Sequence, residues 1–397
     1  MVEARQRGFS AKMGLGAALV FAVAVGLAMV TIQDAQSQTL HVLYNFGGSS
    51  DGGDPYASLI RDGAGNLYST FGYGGGPSFS GGVFKVAPNG TETVLYSFTN
   101  GPDGAFPLSA VVRDNAGNLY GTTTQGGSSG AGVVFKVDPN GTETVLHNFT
   151  GGTDGADPTG GLLLDKAGNL YGATSQGGTA NEGVLFKVSP GGKETILHTF
   201  TGGTKDGKYP SYTSLLADAV GNLYGVTEEG GTADGGILYK LGKSGKSTIL
   251  HSFAGGTSDG CNVLGTPFMD STGNFYGTTS SCGTNMLGTV WKVNKYGKER
   301  VLHSFAGGTS DGEYPLAGVI VDASGNLYGN TETGGKSNLG TVYEITSAGK
   351  FILLHSFNGT DGKYPYGSLV QNSKGALFGT TLNGGTIGYG TVWKIIK

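Results

Sequence analysis

The chain has 397 residues, of which 77 are glycine, while 14% are charged and the formal net charge is −4. The glycines do not recur at every third position, which excludes collagen, and 19 Tyr, 19 Phe and 37% hydrophobic residues supply too much apolar surface for a disordered chain. Lys and Arg are scattered rather than clustered, which argues against a nucleic-acid partner.

At the N-terminus, Arg5, Arg7 and Lys12 precede an apolar run from Met13 to Ile32, and Ala35-Gln36-Ser37 offers small residues at a cleavage position. Residues 1–37 therefore read as a signal peptide. The run is also long enough to span a bilayer, so an uncleaved anchor is the alternative and the one route to membrane attachment. The expected location is secreted, periplasmic or at the surface of a bacterium, with residues 38–397 as one monomeric domain.

That domain is a repeat. Tyr68, Tyr120, Tyr171, Tyr224, Tyr276, Tyr328 and Phe378 mark a Gly-Asn-Leu-Tyr-Gly motif every 50–53 residues. Phe84, Phe135, Phe186, Tyr239, Trp291, Tyr343 and Trp393 mark a second motif of the Val-Phe-Lys-Val type, and Asp51, Asp103, Asp154, Asp206, Asp259, Asp311 and Asp361 begin an Asp-Gly pair. Three markers at one period mean a repeat architecture.

Each unit reads as four strands. In the second they are Leu108–Arg113, Asn118–Thr123, Val133–Val137 and Thr142–Phe149, with Asp114-Asn115-Ala116-Gly117 and Asp138-Pro139-Asn140-Gly141 as tight turns. Val133, Val134, Phe135 and Val137 put apolar side chains on both faces, so the sheets must stack. The domain opens on a lone fourth strand, His41–Phe46, and ends on a third, around Trp393. The expected fold is thus all-β: a seven-bladed β-propeller of four-stranded blades, the last closed by the N-terminal strand.

Asp114–Thr123 with Gly126-Gly127, and the Val-Phe-Lys-Val to Leu-His-Asn-Phe strand pair, resemble the GloVer tandem repeat, a glycine-rich repeat of secreted bacterial proteins. The resemblance spans all seven units and implies an exported, propeller-like protein. It implies no activity.

Candidate sites are sparse. His147, His198, His251, His303 and His355 share one repeat position with Tyr44 and Tyr96, which suits packing residues with a polar tip. The Asp-x-x-Gly aspartates (Asp62, Asp114, Asp165, Asp218, Asp270, Asp322) suit turn chemistry better than calcium. Asp51 with Asp54, and Asp154 with Asp157, are the weak calcium candidates. No metal site, cofactor or catalytic residue is assigned.

Strand direction puts the long glycine-rich loops on one face, where variable loops on a rigid scaffold favour binding. Tyr56, Phe106, Tyr209, Tyr212, Tyr314, Tyr364 and Tyr366 are the candidate ligand-binding residues there, and Tyr73 and Phe79 lie on the same face. Cys261 and Cys282 fall on that face of the fifth unit, where Val263 replaces the proline of the other six. A disulfide is expected in an exported chain, with a free thiol or a metal pair as alternatives.

The expected function is an exported, non-enzymatic binding or scaffold module for a glycan, peptide or protein. The alternative is an extracellular polysaccharide hydrolase or lyase using carboxylates such as Glu182, Glu228, Glu229, Glu313 and Glu332, with Glu229 and Glu332 as a cross-ring pair.

Overall fold

The computed structural model describes residues 38–397; the expected signal segment lies outside them. Seven antiparallel four-stranded sheets form the blades of a propeller. The second blade is Val112–Arg113, Leu119–Thr123, Val133–Val137 and Glu143–Asn148. In the seventh, the N-terminal strand Thr39–Asn45 pairs with Thr391–Ile396, Thr39 opposite Ile396 and Asn45 opposite Thr391. The N-terminal strand therefore supplies the outer strand of the last blade and ties the two ends of the domain into one sheet.

Blades are joined by rings. The phenylalanine after each fourth strand meets the third-strand aromatic of the next blade: Phe98 with Phe135, Phe149 with Phe186, Phe200 with Tyr239, Phe253 with Trp291, Phe305 with Tyr343, Phe357 with Trp393, and Phe46 with Phe84 across the closure. Centroids lie 5.0–5.6 Å apart, edge-to-face or tilted, and every ring is at most 2% exposed. Such geometry matches the ring quadrupoles. The second-strand glycine makes the room: a Cβ on Gly277 would stand 2.4 Å from Trp291 Cζ2.

Hairpin turns follow from the motif. Asp114 Oδ1 accepts the Asn118 amide at 2.9 Å, while Oδ2 accepts Asn118 Nδ2 at 2.7 Å and the Tyr120 hydroxyl at 3.0 Å. One carboxylate thus explains why Asp, Asn and Tyr travel together. In the seventh unit all three change, to Asn372, Ala376 and Phe378, and the Asn372 side chain keeps only backbone donors, the Lys374 and Ala376 amides.

The innermost strands differ from expectation. Instead of Leu108–Arg113, only Val112–Arg113 pairs within its own sheet. Residues ahead of it leave the sheet because seven blades converge on one axis and bond to one another there. Ser214 N donates to Thr266 Oγ1 at 2.8 Å, and Ser368 N to Ser58 Oγ at 2.8 Å. Gly318 lies so close to the next segment that a Cβ would sit 2.0 Å from Thr266 O.

The fifth blade keeps a long first strand, Gly260–Met269, in which Val263 pairs opposite Thr279. Valine there supplies the N–H that proline in the other units lacks. Cys261 and Cys282 form a disulfide in this blade. Cys282 takes φ +65° where other units place glycine, as at Gly126. Among the described residues no helix is long and apolar enough to cross a membrane.

Phe149→Ala should cost about 3–5 kcal/mol in denaturant unfolding, whereas Tyr296→Ala, at an 82% exposed position, should stay within about 0.5 kcal/mol. Replacing both cysteines by alanine should cost about 3 kcal/mol, from the loop that the bridge closes. An unchanged denaturation midpoint for Phe149→Ala would contradict the aromatic-joint account.

Candidate functional site: an axial funnel on the long-loop face

The residue before each proline, or before Val263, has left-handed backbone: Asp54, Phe106, Asp157, Tyr209, Asn262, Tyr314 and Tyr364 have φ between +54° and +59°. For residues other than glycine this costs about 1–3 kcal/mol unless neighbours enforce it. Here they do. Each amide donates to a carbonyl of the preceding blade, as Tyr314 N does to Leu287 O at 3.0 Å, and the Tyr314 carbonyl accepts Glu332 N of its own blade at 3.0 Å. Seven such joints turn the chain toward the axis.

The residues just beyond the joints line a cavity of about 290 Å³: Tyr56, Leu108, Thr159, Tyr212, Leu264, Leu316 and Tyr366 at its wall, with small residues such as Ala57, Ser109, Gly161 and Gly367 below. All seven blades contribute. Tyr56 and Tyr366 meet edge-to-face at 5.3 Å, and Tyr366 OH donates to Glu332 Oε1 at 2.7 Å. Tyr212 remains 51% exposed.

The funnel's surroundings are acidic. Burial raises the Asp54 and Asp157 carboxyls against the hydrogen bonds from Asn383 and Ser175 that lower them. Burial, then the charge of Glu229, raises Glu228. Burial also raises the Tyr212 hydroxyl, followed by Asp157, Tyr56 and Glu228, while that of Tyr56 responds next to Asp54 and Glu332. Among the described residues, no Lys or Arg lines the cavity.

Of the seven candidate ligand-binding residues, Tyr56, Tyr212 and Tyr366 meet in this funnel. Phe106, Tyr209, Tyr314 and Tyr364 are instead the left-handed joints between blades. Lys208 lies over the Tyr209 ring and Lys363 over Tyr364, each within 5.6 Å of the centroid. Tyr73 and Phe79 form a separate exposed stack with Tyr389, at 5.3 and 6.1 Å from the Tyr73 ring.

The carboxylate candidates divide. Glu229 is taken by Lys208 at 2.7 Å and Glu332 by Tyr366, so they bond different partners. Asp54 and Asp157, read from sequence as calcium candidates, belong to the funnel's rim. Their companions bond elsewhere: Asp51 takes the Tyr44 hydroxyl and Asp154 the Thr150 amide, both at 2.8 Å. Leu108, Thr159, Leu264 and Leu316 were not singled out from sequence, although each sits at the same small offset beyond the joint as Tyr56 and Tyr366.

Residues 26–236 and 211–397 match the Gloeobacter/Verrucomicrobia repeat, covering nearly the whole chain. The chain belongs to the Gloeobacter/Verrucomicrobia repeat family. No curated protein matches it in sequence. Solved structures share the family member's fold at low identity. A streptogramin B lyase superposes with TM-score 0.58 at 12% identity, covering 90% of this chain and 97% of that one. Virginiamycin B lyase from Staphylococcus aureus gives 0.59 at 10%, covering 91% and 99%. The extracellular domain of a hybrid two component system from B. thetaiotaomicron gives 0.58 at 13%, covering 90% and 41%. These likenesses show the propeller fold alone.

The outer rim of this family member carries a second set of acids. Glu92 and Glu143 are pushed up to about 7, first by burial and then by the charges of Asp51 and Asp103. A carboxyl whose folded pKa lies above its unfolded value holds extra protons between about pH 4.5 and 7, so stability falls as pH rises through that window. The turn aspartates act in the opposite sense. Burial disfavours the Asp114 anion, but hydrogen bonds from the Asn118 side chain and backbone and from Tyr120 outweigh it and hold the carboxyl below its usual range. Their stabilisation is lost as pH falls below about 3.8. His147, pushed down by burial, opposes the glutamates by one group. The melting midpoint should therefore peak near pH ~5, and Glu92→Gln with Glu143→Gln should flatten its fall toward pH ~7.5. A scan of melting temperature against pH checks both; a wild-type midpoint equally high at both pH values would contradict the assignment.

Proposed function

We propose that this chain is an exported, non-enzymatic binding module whose axial funnel takes the end of a neutral saccharide chain. The observation that carries the reading is the meeting of Tyr56, Tyr212 and Tyr366 in a cavity that, among the described residues, no basic side chain lines, with Asp54, Asp157, Glu228 and Glu332 close enough to act on the tyrosine hydroxyls. Tyrosine rings stack on the apolar faces of sugars, and carboxylates accept charge-assisted hydrogen bonds from hydroxyls. The acidic rim disfavours an anionic ligand. A volume of about 290 Å³ lies at the small end of ligand pockets, which suits one or two sugar rings and hence a chain end. The disulfide and the signal-like N-terminus support an oxidising, extracytoplasmic location.

A hydrolase or lyase is the second reading, favoured by one observation. Asp54, Asp157 and Glu228 at the rim are all raised by burial, the direction required of a general acid. The neighbours whose titles name lyases support only the scaffold at 10–12% identity.

Calorimetry of the full chain against a panel of neutral oligosaccharides tests the proposal. Saturable binding is expected, weakened about tenfold, ~1.4 kcal/mol, by Tyr212→Ala or Tyr366→Ala. Binding indifferent to both substitutions, or none across the panel, would refute the funnel as a saccharide site. Product release over long incubation, lost in Glu228→Gln or Asp157→Asn, would favour the enzyme instead.

A further inference from the structure

The five histidines of the repeat all lie edge-on to the phenylalanine two residues later, at 4.7–4.9 Å, and point their tips at the Asp-Gly loop that leads into the next blade. They differ in what the next blade places beside them. At that position, four residues before the next His or Tyr, stand Leu40, Glu92, Glu143, Glu194, Ser247, Glu299 and Phe351.

The neighbour decides whether histidine and aspartate bond. Beside Ser247, His198 Nε2 lies 3.1 Å from Asp206. Beside Phe351, which stacks on the imidazole at 4.2 Å, His303 Nε2 lies 3.1 Å from Asp311 Oδ2. His355, the histidine whose corresponding neighbour is Leu40, closes to 2.9 Å on Asp361. Where the neighbour is glutamate the contact opens. His147 Nε2 is 3.8 Å from Asp154 Oδ2 and 3.6 Å from Glu194 Oε1, and His251 Nε2 is 3.6 Å from Asp259 Oδ2. In both glutamate-bearing cases the histidine Nε2 and the glutamate Oε1 are buried with no hydrogen-bond partner among the described residues. An orphaned imidazole nitrogen facing an orphaned carboxylate oxygen calls for something between them.

We propose that His147, Asp154 and Glu194 bind a divalent transition-metal cation, for which Zn²⁺ is the probe, and that it clips the outer edge of the second blade to the third. The three donor atoms all lie within 4.8 Å of one another. Bonds of roughly 2.0–2.2 Å to a central ion would hold tetrahedral ligands a little over 3 Å apart, so each side chain needs only a small inward shift. One imidazole with two carboxylates suits zinc and its neighbours, since calcium and magnesium prefer oxygen donors alone. Water would complete the shell, because the side chains of His147 and Asp154 are each 17% exposed.

The second glutamate-bearing cluster shows how the imidazole is prepared. His251 Nδ1 lies 3.3 Å from Gly297 O, and because a carbonyl only accepts, Nδ1 carries the proton. That leaves Nε2 to face Asp259, the orientation a metal-binding histidine adopts through its outer partner. His251, Asp259 and Glu299 are the weaker candidate, since among the described residues only His147, Asp154 and Glu194 bring three donor atoms within 4.8 Å of one another. In the tyrosine blades the site is absent: the hydroxyls of Tyr44 and Tyr96 donate directly to Asp51 and Asp103, at 2.8 and 3.0 Å.

The test is Zn²⁺ titration of tag-free full chain, stripped with chelator and exchanged into buffer, by calorimetry with the melting midpoint followed in parallel. One tight site, with a weaker second, should appear and raise the midpoint. Glu194→Gln, which keeps the side-chain shape, and His147→Ala should each weaken the tight site at least about tenfold. His303→Gln should leave it unchanged. If His147→Ala fails to fold, Glu194→Gln decides. No saturable Zn²⁺ binding by folded wild type, Zn²⁺ affinity undiminished by Glu194→Gln, or Ca²⁺ binding in preference to Zn²⁺ would each overturn the proposal.

Discussion

The ring holds together through one contact made seven times, a fourth-strand phenylalanine set against the third-strand aromatic of the next blade. No blade can bury both faces of its sheet alone. The buried clusters accordingly cross blade boundaries, as when Tyr68, Val83 and Phe98 pack with Leu119, Val133 and Phe135. Aromatic bulk matters more than polarity at this joint: Tyr239 and Tyr343 hydroxyls and Trp291 and Trp393 ring N–H groups are buried there without a protein partner. Each unmet group costs about 1–3 kcal/mol, which the packing of a full-sized ring outweighs.

Crowding at the axis is the complementary constraint. Seven inner segments meet where little room exists, so small residues and glycines line the lower channel while hydroxyl-to-amide bonds tie neighbouring segments. Above that waist the left-handed joints splay the chain, and the residues just beyond them set the funnel's character. Corresponding segments of seven blades therefore carry different side chains into one cavity. Tyrosine occupies three wall positions and leucine three others, which makes the funnel asymmetric in chemistry although regular in shape.

The outer rim shows the same economy. A single position holds His or Tyr, and its companion in the next blade holds Glu, Ser, Phe or Leu. Histidine closes on its aspartate when the companion is not acidic and stands open when it is glutamate. Repetition thus supplies internal controls: one geometry, varied a residue at a time, separates packing positions from the two clusters whose polar atoms face one another unpaired.

Sequence alone determined the number of blades, the closure by the N-terminal strand and the Asp-x-x-Gly turns, because these depend on period, strand order and contacts between residues at most six apart. It also placed both cysteines on one loop face, close enough to pair. Only the tertiary structure decided which aromatics share a cavity. Phe106 and Tyr56 sit two places apart in the repeat, yet one is a joint and the other a funnel wall, since the left-handed turn lies between them. The same holds where Asp54 meets Asn383, Asp157 faces Tyr212 and His147 faces Glu194, each about one repeat or more away in sequence. Their contacts arise from blade twist and from the register shift between third and fourth strands, as between Val134 and Phe135. Local pattern fixes each blade; what faces what across the gap follows from how twisted sheets stack around a closed ring.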